Sequence, residues 1–104
     1  MATDQPRLSS QTLRVLGALM SSAEEELSGA QIGRTTNLAT GTLYPILSRL
    51  ERVGWVESRW EDGDPRILGR PRRRFYLLTE LGAKNATSAV NELQAAFAGR
   101  LAWS

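Results

Sequence analysis

The feature that most constrains the fold is an arginine-rich segment that turns directly into an alternating apolar strand. Residues 68–77 read LGRPRRRFYL, and residues 66–74 together hold five arginines and no acid. The FYLL run at 75–78 predicts a half-buried strand that anchors the basic segment to a sheet. Arginine beside Gly and Pro suits a projecting loop, and its guanidinium group suits phosphate. The segment therefore favours a basic hairpin that grips nucleic acid, the alternative being a solvated surface turn.

Composition excludes several other classes of protein. At 104 residues the chain can build one hydrophobic core but not two, which predicts a single domain. It contains no cysteine and no histidine, so disulfides, thiolate or imidazole metal sites and Cys or Ser-His nucleophiles are excluded. No apolar stretch approaches the ~20 residues of a membrane span, and the opening MATDQPR holds no apolar signal core. We therefore expect a cytoplasmic protein without a metal or other cofactor.

The net charge of +2 is unevenly distributed along the chain. The EDGD segment at 61–64 carries −3, whereas residues 66–74 carry +5. Such local asymmetry matters more than the sum for attracting a polyanion. The glutamates at 24–26 are expected to form a solvated turn. Asp62-Gly-Asp64 resembles only a fragment of a calcium loop, so no metal site is predicted.

Three helical segments precede the arginine-rich loop. Residues 1–8 are expected to form a flexible tail, and Ser9 or Ser10 caps the first helix. Ser28 caps a short second helix over residues 29–36. The third helix runs over about 40–53. The apolar positions that recur at helical spacing on these segments are Leu13, Leu16, Leu19, Met20, Ile32, Leu43, Ile46, Leu47, Leu50 and Val53.

Proline and glycine mark the two ends of the third helix. Pro45 falls within its first turns, where a missing N–H is expected to be tolerated. Gly54 is placed to end it.

Two strands and a last helix follow. Residues 55–60 alternate as a half-buried strand, and residues 73–79 supply its partner across a long Gly-, Pro- and Asp-containing hairpin loop. Trp55 and Trp60 are expected to pack this hairpin against the helices. The last helix runs from Glu80 to about residue 101, with an acid at the positive end of its dipole.

The order of helix, helix, helix, two-stranded wing and helix describes a winged helix-turn-helix. The predicted fold class is therefore mainly α with a small β-hairpin. We expect a winged helix-turn-helix domain at 9–79 and a C-terminal dimerisation helix at 80–104.

At this point the sequence resembles a known family, the PadR-like transcriptional regulators. The resemblance is carried by ATGTLYPILSRLERVGWVESRWE at 39–61 and GRPRRRFYLLTELG at 69–82. With the weaker first two helices it covers about residues 9–95. It implies a homodimeric DNA-binding regulator, a repressor, acting on a pseudo-palindromic operator in double-stranded DNA.

The chain departs from the family pattern in two places. Family members often carry Tyr-Gly-Tyr near the start of the second helix, whereas this chain has Ser28-Gly29-Ala30. A DNA or packing contact made there by tyrosine would be missing. The chain also ends within the fourth long helix, which resembles the short, single-domain branch of the family.

The third helix is the predicted recognition helix. In a helix-turn-helix the second helix of the pair enters the major groove with its N-terminal end toward the base edges. The alternative for Tyr44 is a hydroxylated core aromatic, and Arg49 could pair with a neighbouring acid, which is the interpretation preferred for Arg52. The candidate DNA contacts are Thr40, Thr42, Tyr44, Pro45, Ser48 and Arg49, with Gln31, Arg34 and Thr35 of the second helix as backbone contacts.

The wing at 66–74 supplies the electrostatic candidates. Arg70, Arg72 and Arg73 are expected to contact the flanking backbone or the minor groove. Arg70 stands between Gly69 and Pro71 at the expected tip, where an arginine could enter a minor groove. Arg74 lies where the strand begins and is expected to be structural.

The last helix carries a heptad-like apolar seam. Its members step by 4, 3, 4 and 4 residues, and a chain this short has too little core to cover them. A two-fold partner would cover the seam and place two recognition helices about one DNA turn, ~34 Å, apart. The alternative is a helix that folds back onto the first helix of its own chain. The predicted interface residues are Ala86, Val90, Leu93, Phe97 and Leu101.

The resemblance further implies a small aromatic effector near the dimer interface. Phe97 and Trp103 are the candidate lining residues, since each offers a flat apolar face.

Two other functions compete with a DNA-binding regulator. A winged-helix protein–protein adaptor would use the same fold without DNA, and a carboxylate hydrolase is disfavoured because no acid pair sits on an expected rigid cleft.

Overall fold

The structure is a computed structural model that describes residues 8–22 and 24–103, with side chains described as far as residue 98. The predicted tail at 1–8 lies outside the described residues, apart from Leu8, which is exposed. None of the described helices has the length and apolar content required to cross a bilayer.

The described residues form five helices and one three-stranded antiparallel sheet. The strand order is β1-β3-β2, and β2 pairs with β3 from Val56 opposite Leu78 to Trp60 opposite Arg74. This architecture confirms the predicted winged helix-turn-helix with a C-terminal helix. In chain order the elements are α1 Ser10–Ser21, β1 Leu27–Ser28, α2 Gly29–Thr36, α3 Thr40–Arg52, β2 Val56–Trp60, α4 Pro65–Leu68, β3 Arg74–Leu78 and α5 Glu80–Trp103.

Short-range hydrogen bonds explain where α1 and α2 begin and end. The hydroxyl of Ser9 accepts a hydrogen bond from the Thr12 N–H at 3.2 Å, so Ser9 is the N-cap of α1. Ser28 and Gln31 form a reciprocal capping box at the start of α2. Asn37 ends α2 in the left-handed region, with φ of 57°. These caps confirm the predicted boundaries and turn the chain directly into α3.

Two elements were not predicted. The two-residue strand β1 pairs with Phe75 and Tyr76 of β3 and is too short to show any alternation. The wing loop, predicted to be irregular, contains the helical turn α4. Asp64 caps α4, Pro65 is its first residue and Gly69 ends it with φ of 72°. This Asp-Pro…Gly spacing is a helix signal that could have been found in the sequence.

Pro45 lies in the second turn of α3, within the first turns as predicted. Thr40 is the first residue of the helix and Pro45 the sixth, so an N–H at this position would normally donate to the carbonyl of Gly41. Gly41 is exposed. The helix nevertheless continues to Arg52, so the missing N–H is tolerated there, as predicted.

The core lies between the helices and one face of the sheet. Its largest fully buried side chains are Leu16, Leu19, Ile32, Leu43, Leu47, Leu50, Val15 and Val56. Trp55 is buried with them, as predicted. Trp60 is not, since 55% of it is exposed, and the prediction that it packs the wing against the helices is wrong. Trp60 lies on the same face of the sheet as the buried Val56, but at the far end of β2, where the helices leave it half uncovered.

The start of α5 is joined tightly to the base of the sheet. The Thr79 hydroxyl donates to the carbonyl of Gly54 at 2.6 Å and accepts from the N–H of Gly82 at 3.0 Å. A Cβ on Gly82 would stand 1.9 Å from the carbonyl oxygen of Trp55, so only glycine fits. One turn later Ala86 is fully buried in this chain's own core. Ala86 therefore faces its own chain, which removes it from the predicted dimer seam.

Candidate nucleic-acid interface

One face of α3 is exposed along its whole length. Leu43, Ile46, Leu47 and Leu50 are buried, which turns the opposite side of the helix outward. The predicted contacts Thr40, Tyr44, Pro45, Ser48 and Arg49 are exposed, and Thr42 is half-buried. Among the described residues neither Arg49 nor Arg52 forms an ion pair. The surface pairing preferred for Arg52 is therefore not found.

The second helix contributes a neighbouring polar edge. Gln31, Arg34 and Thr35 are all exposed on α2. The side-chain oxygen of Gln31 accepts a hydrogen bond from the Ser28 N–H at 2.8 Å, so that oxygen serves the capping box. Arg34 and Thr35 make no side-chain hydrogen bond within the part of the chain that the structure describes. They are the better placed of the three to meet a phosphate.

Tyr44 joins α3 to the start of α2. A methyl group on Gly29 would lie 2.3 Å from the Tyr44 hydroxyl and 2.9 Å from the ring carbon that bears it. The ring thus lies against bare glycine backbone, and its outer side remains exposed. Tyr44 is neither a core aromatic nor a loosely held surface residue.

A cleft of about 470 Å³ separates α2 and α3 from the wing. Tyr44 forms one wall, and Trp60 with residues 71–74 of the wing forms the other. Tyr76 lies at the buried end, where burial raises the pKa of its phenol. Arg72 and Arg73 also line the cleft, so the structure brings predicted contacts from the helix and from the wing together.

The wing holds one of its arginines internally. Both guanidinium NH2 groups of Arg70 donate to the carboxylate of Glu61, at 2.6 and 2.9 Å. Glu61 also accepts from the backbone N–H of Arg73 at 3.2 Å. The Arg70 hydrogen bonds, and then the Arg73 N–H, lower the pKa of the Glu61 carboxyl to about 2. Arg70 therefore ties together the two ends of the wing loop, at the base of the loop beside β2 and β3. It does not stand at the tip of the wing, contrary to the prediction.

Arg72 and Arg73 differ from Arg70 in being exposed. Neither forms an ion pair within the described part of the chain. Arg74 is structural, as predicted: its guanidinium lies 5.0 Å from the centre of the Trp60 ring and 3.6 Å from the Glu51 carboxylate. Two arginines of the wing are thus left to meet an anionic partner beside the cleft.

Glu26 has a role that was not predicted. Its carboxylate accepts two hydrogen bonds from Arg59 of β2, at 2.7 and 2.8 Å. This pairing raises the pKa of the Arg59 guanidinium. The Arg59 guanidinium lies 5.3 Å from the centre of the Phe75 ring. The acidic turn is therefore tied to the wing on the side away from Trp60, and it is only partly a solvated turn.

The beginning of α1 borders the exposed face of α3. A shallow depression of about 330 Å³ is lined by Ser9, Gln11 and Thr12 together with Thr42, Pro45 and Arg49. Gln11 was not among the predicted contacts, because nothing in its local sequence indicates that α1 would begin beside α3. Gln11 extends the exposed polar surface of α3 by one more side chain.

The remaining predictions concern a metal site and the apolar residues of α5. No group of His, Cys, Asp or Glu in the described residues is arranged to hold a metal ion. On α5, Val90 is half-buried, and Leu93 and Phe97 are 45% and 57% exposed. The side chains of Leu101 and Trp103 lie outside the described residues. The effector site at Phe97 and Trp103 therefore stays a prediction.

A known protein family matches the part of the sequence that forms this surface. A family model described as "Transcriptional regulator PadR-like family" matches residues 18–88, from the end of α1 through the wing to the first turns of α5. No curated protein matches the chain closely enough to be compared with it.

Solved structures share the fold at low sequence identity. A PadR-like transcription factor from Bacteroides fragilis superposes with a TM-score of 0.76 at 18% identity, over 91% of this chain and 90% of that one. A transcriptional regulator homologue from Pyrococcus horikoshii gives 0.74 at 22% identity, over 88% and 83%. Staphylococcus aureus MepR, in a DNA-binding conformation, gives 0.65 at 21% identity, over 89% of this chain and 66% of its own.

Proposed function

Because the chain belongs to the PadR-like family of transcriptional regulators, we propose that it is a homodimeric repressor that binds an operator in double-stranded DNA. In this proposal α3 enters the major groove and the wing lies on the flanking backbone or in the adjacent minor groove. The observation that carries the proposal is the cleft in which Tyr44 faces Arg72 and Arg73. A sugar-phosphate strand that separates a major from a minor groove would pass between a helix and a wing placed in this way.

Charge supports an anionic partner for this surface. Arg34 of α2, Arg49 of α3 and the two wing arginines are exposed and form no ion pair among the described residues. Each phosphate contact made by such a group releases condensed counterions from DNA. The likeness to MepR in a DNA-binding conformation is compatible with this use of the fold.

The outer half of α5 supports a dimer. Leu93 and Phe97 are exposed apolar side chains on a helix whose first turns are already anchored by Gly82 and Ala86. α5 does contact α1, but these two side chains remain uncovered by the chain itself. A second copy packed on this half would cover them and present two recognition helices to the two halves of a pseudo-palindrome. We place the dimer seam at Val90, Leu93, Phe97 and Leu101.

Operator selection followed by a salt titration tests the proposed function. Purified protein is used to select sites from random duplex DNA, and binding to a selected site is measured by fluorescence anisotropy at several salt concentrations. We expect a two-fold symmetric site and a log affinity that falls linearly with log salt. A protein–protein adaptor with the same fold would enrich no sequence and show no salt-dependent DNA affinity. That result would reject the proposal.

A further inference from the structure

The tip of the wing presents an aliphatic side chain among arginines. Ile67, in the helical turn α4, is 85% exposed, more than any other large hydrophobic residue of the described chain. Beside it the side chain of Arg66 is 92% exposed, and its contact with Asp64 is long, at 3.4 Å. Such an exposed ion pair contributes little to stability, so it does little to hold the Arg66 side chain in place. The tip of the wing therefore presents one exposed aliphatic side chain, Ile67, next to one exposed cation, Arg66.

The turn that carries Ile67 is held in one conformation. The Asp64 carboxylate accepts from the Arg66 N–H at 2.9 Å, and Gly69 closes the turn. Leu68 points inward, toward Gly63. Isoleucine is branched at Cβ, which restricts its own rotation. The Glu61–Arg70 ion pair holds together the two ends of the loop that carries this turn.

We propose that Ile67 is an apolar wedge that enters the minor groove beside each operator half-site and partly unstacks a base step there. This inference rests on the proposed DNA-binding function and adds a residue to it. Aliphatic side chains inserted from the minor groove are a known means of kinking DNA, and flexible pyrimidine–purine steps yield most easily. The wedge would therefore favour such steps at a fixed distance outside the major-groove site.

The surroundings of Ile67 favour DNA over a protein partner. The minor groove is about 6 Å wide and has deoxyribose walls edged by phosphates, so it accepts a single aliphatic side chain flanked by cations. Arg66 and Arg72 supply those cations, and Pro65, Pro71 and Trp60 line a shallow apolar groove next to Arg72. A protein interface needs roughly 800 Å² from each partner, which one isoleucine among arginines cannot supply.

Two substitutions separate the wedge from its charged neighbour. Ile67→Thr keeps the branched shape and removes the apolar end, whereas Arg66→Gln keeps the length and removes the charge. Both side chains are exposed, so neither change should shift the thermal midpoint. The operator carries 2-aminopurine at one flanking position in turn, because its emission rises when the base is unstacked.

The expected results differ for the two variants. Wild-type protein should raise 2-aminopurine emission at one flanking step on each side of the operator. Ile67→Thr should abolish that rise and weaken binding by roughly fivefold for each wing, with the salt slope unchanged. Arg66→Gln should keep the rise and lower the slope by about 0.9 for each wing.

A conservative control variant and two contrary outcomes complete the test. Ile67→Leu should retain both the emission change and the affinity. If Ile67→Thr binds the operator as tightly as wild type with the same emission, the wedge is wrong while the DNA-binding function stands. If wild-type protein shows no salt-dependent DNA binding, the proposed function fails, and the wedge fails with it.

Discussion

The phenol of Tyr44 lies so close to the α-carbon of Gly29 that a methyl group there would be 2.3 Å from its hydroxyl. The contact couples the start of α2 to the exposed face of α3. Gly29 is also the middle residue of Ser28-Gly29-Ala30, and it is the one residue shared with the Tyr-Gly-Tyr common in the family.

Gly29→Ala should displace Tyr44 and weaken both folding and operator binding. We expect a loss of about 1–2 kcal/mol in the free energy of unfolding, because the exposed ring can move partly away from the added methyl. Urea denaturation measures this loss. Gly17→Ala is the control, since nothing lies within 4 Å of an added Cβ in α1, and it should stabilise the chain by about 0.5–1 kcal/mol. Equal stability of Gly29→Ala and wild type would contradict the close contact.

Gly82→Ala should be far more damaging than other glycine substitutions in helices. Its added Cβ would meet backbone, the Trp55 carbonyl, which cannot rotate away as a side chain can. We expect a loss of about 3 kcal/mol, seen as a lower urea midpoint. Gly33→Ala in α2 would make only an ordinary 3.5 Å contact with Leu43 and should be tolerated. A small effect at Gly82 would mean that α5 can shift on the sheet.

The wing arginines should separate into two groups in a salt titration. Replacing Arg72 and Arg73 by Ala should lower the slope of log affinity against log salt by about 0.9 per residue in each half-site. Arg70→Ala should leave the slope nearly unchanged, since the Arg70 guanidinium is already paired with Glu61. A drop in slope for Arg70→Ala as large as that for Arg72→Ala would show that Arg70 leaves Glu61 to bind DNA.

Glu61 should keep its charge well into the acid range. Its pKa is lowered from 4.5 to about 2, so the folded chain binds this proton less readily than the unfolded chain does. The stabilisation is therefore complete above about pH 4.5 and is lost as the pH falls through about 2. Carboxyl NMR of Glu61 should titrate near the lower value, and unfolding curves of wild type and Glu61→Gln should converge only in acid. A midpoint near 4.5 would mean that the Arg70 pair does not persist in solution.

A charge on the outer half of α5 should dissociate the dimer. Phe97→Glu, alone or with Leu93→Glu, would place a carboxylate in the proposed seam, where its desolvation is costly. Sedimentation at micromolar concentration should show a monomer that binds the operator weakly. Gln94→Glu adds a carboxylate to the same helix without removing an apolar group, and should remain dimeric. A wild-type protein that is already monomeric yet binds the operator tightly would reject the seam.

Local signals in the sequence predicted most of the fold. Ser28 with Gln31, Asn37 and Gly54 mark helix ends through hydrogen bonds or backbone angles that depend on near neighbours, so their positions could be predicted closely. β1 could not, because a two-residue strand is defined by its partner and not by its own pattern.

The site was less predictable than the fold for the same reason. Whether an arginine is free depends on which acid the wing brings to it, and Glu61 stands nine residues from Arg70. Arg72, two residues further on, is exposed and meets no acid within ion-pair distance among the described residues. Trp60 was misplaced because alternation gives the face of the sheet but not how far along the strand the helices cover that face.

The hydrogen bonds at Thr79 join α5 rigidly to the base of the wing. Thr79 bonds both to Gly54 and to Gly82, and its backbone N–H donates to Trp55 at 3.0 Å, so the base of the wing and the first turn of α5 move as one body. The chain is also elongated, 60 Å by 32 Å by 26 Å. A change in the angle at which two such helices cross would not be absorbed at the junction. In the proposed dimer, it would swing each wing as a whole and alter the separation between the two surfaces proposed to bind DNA.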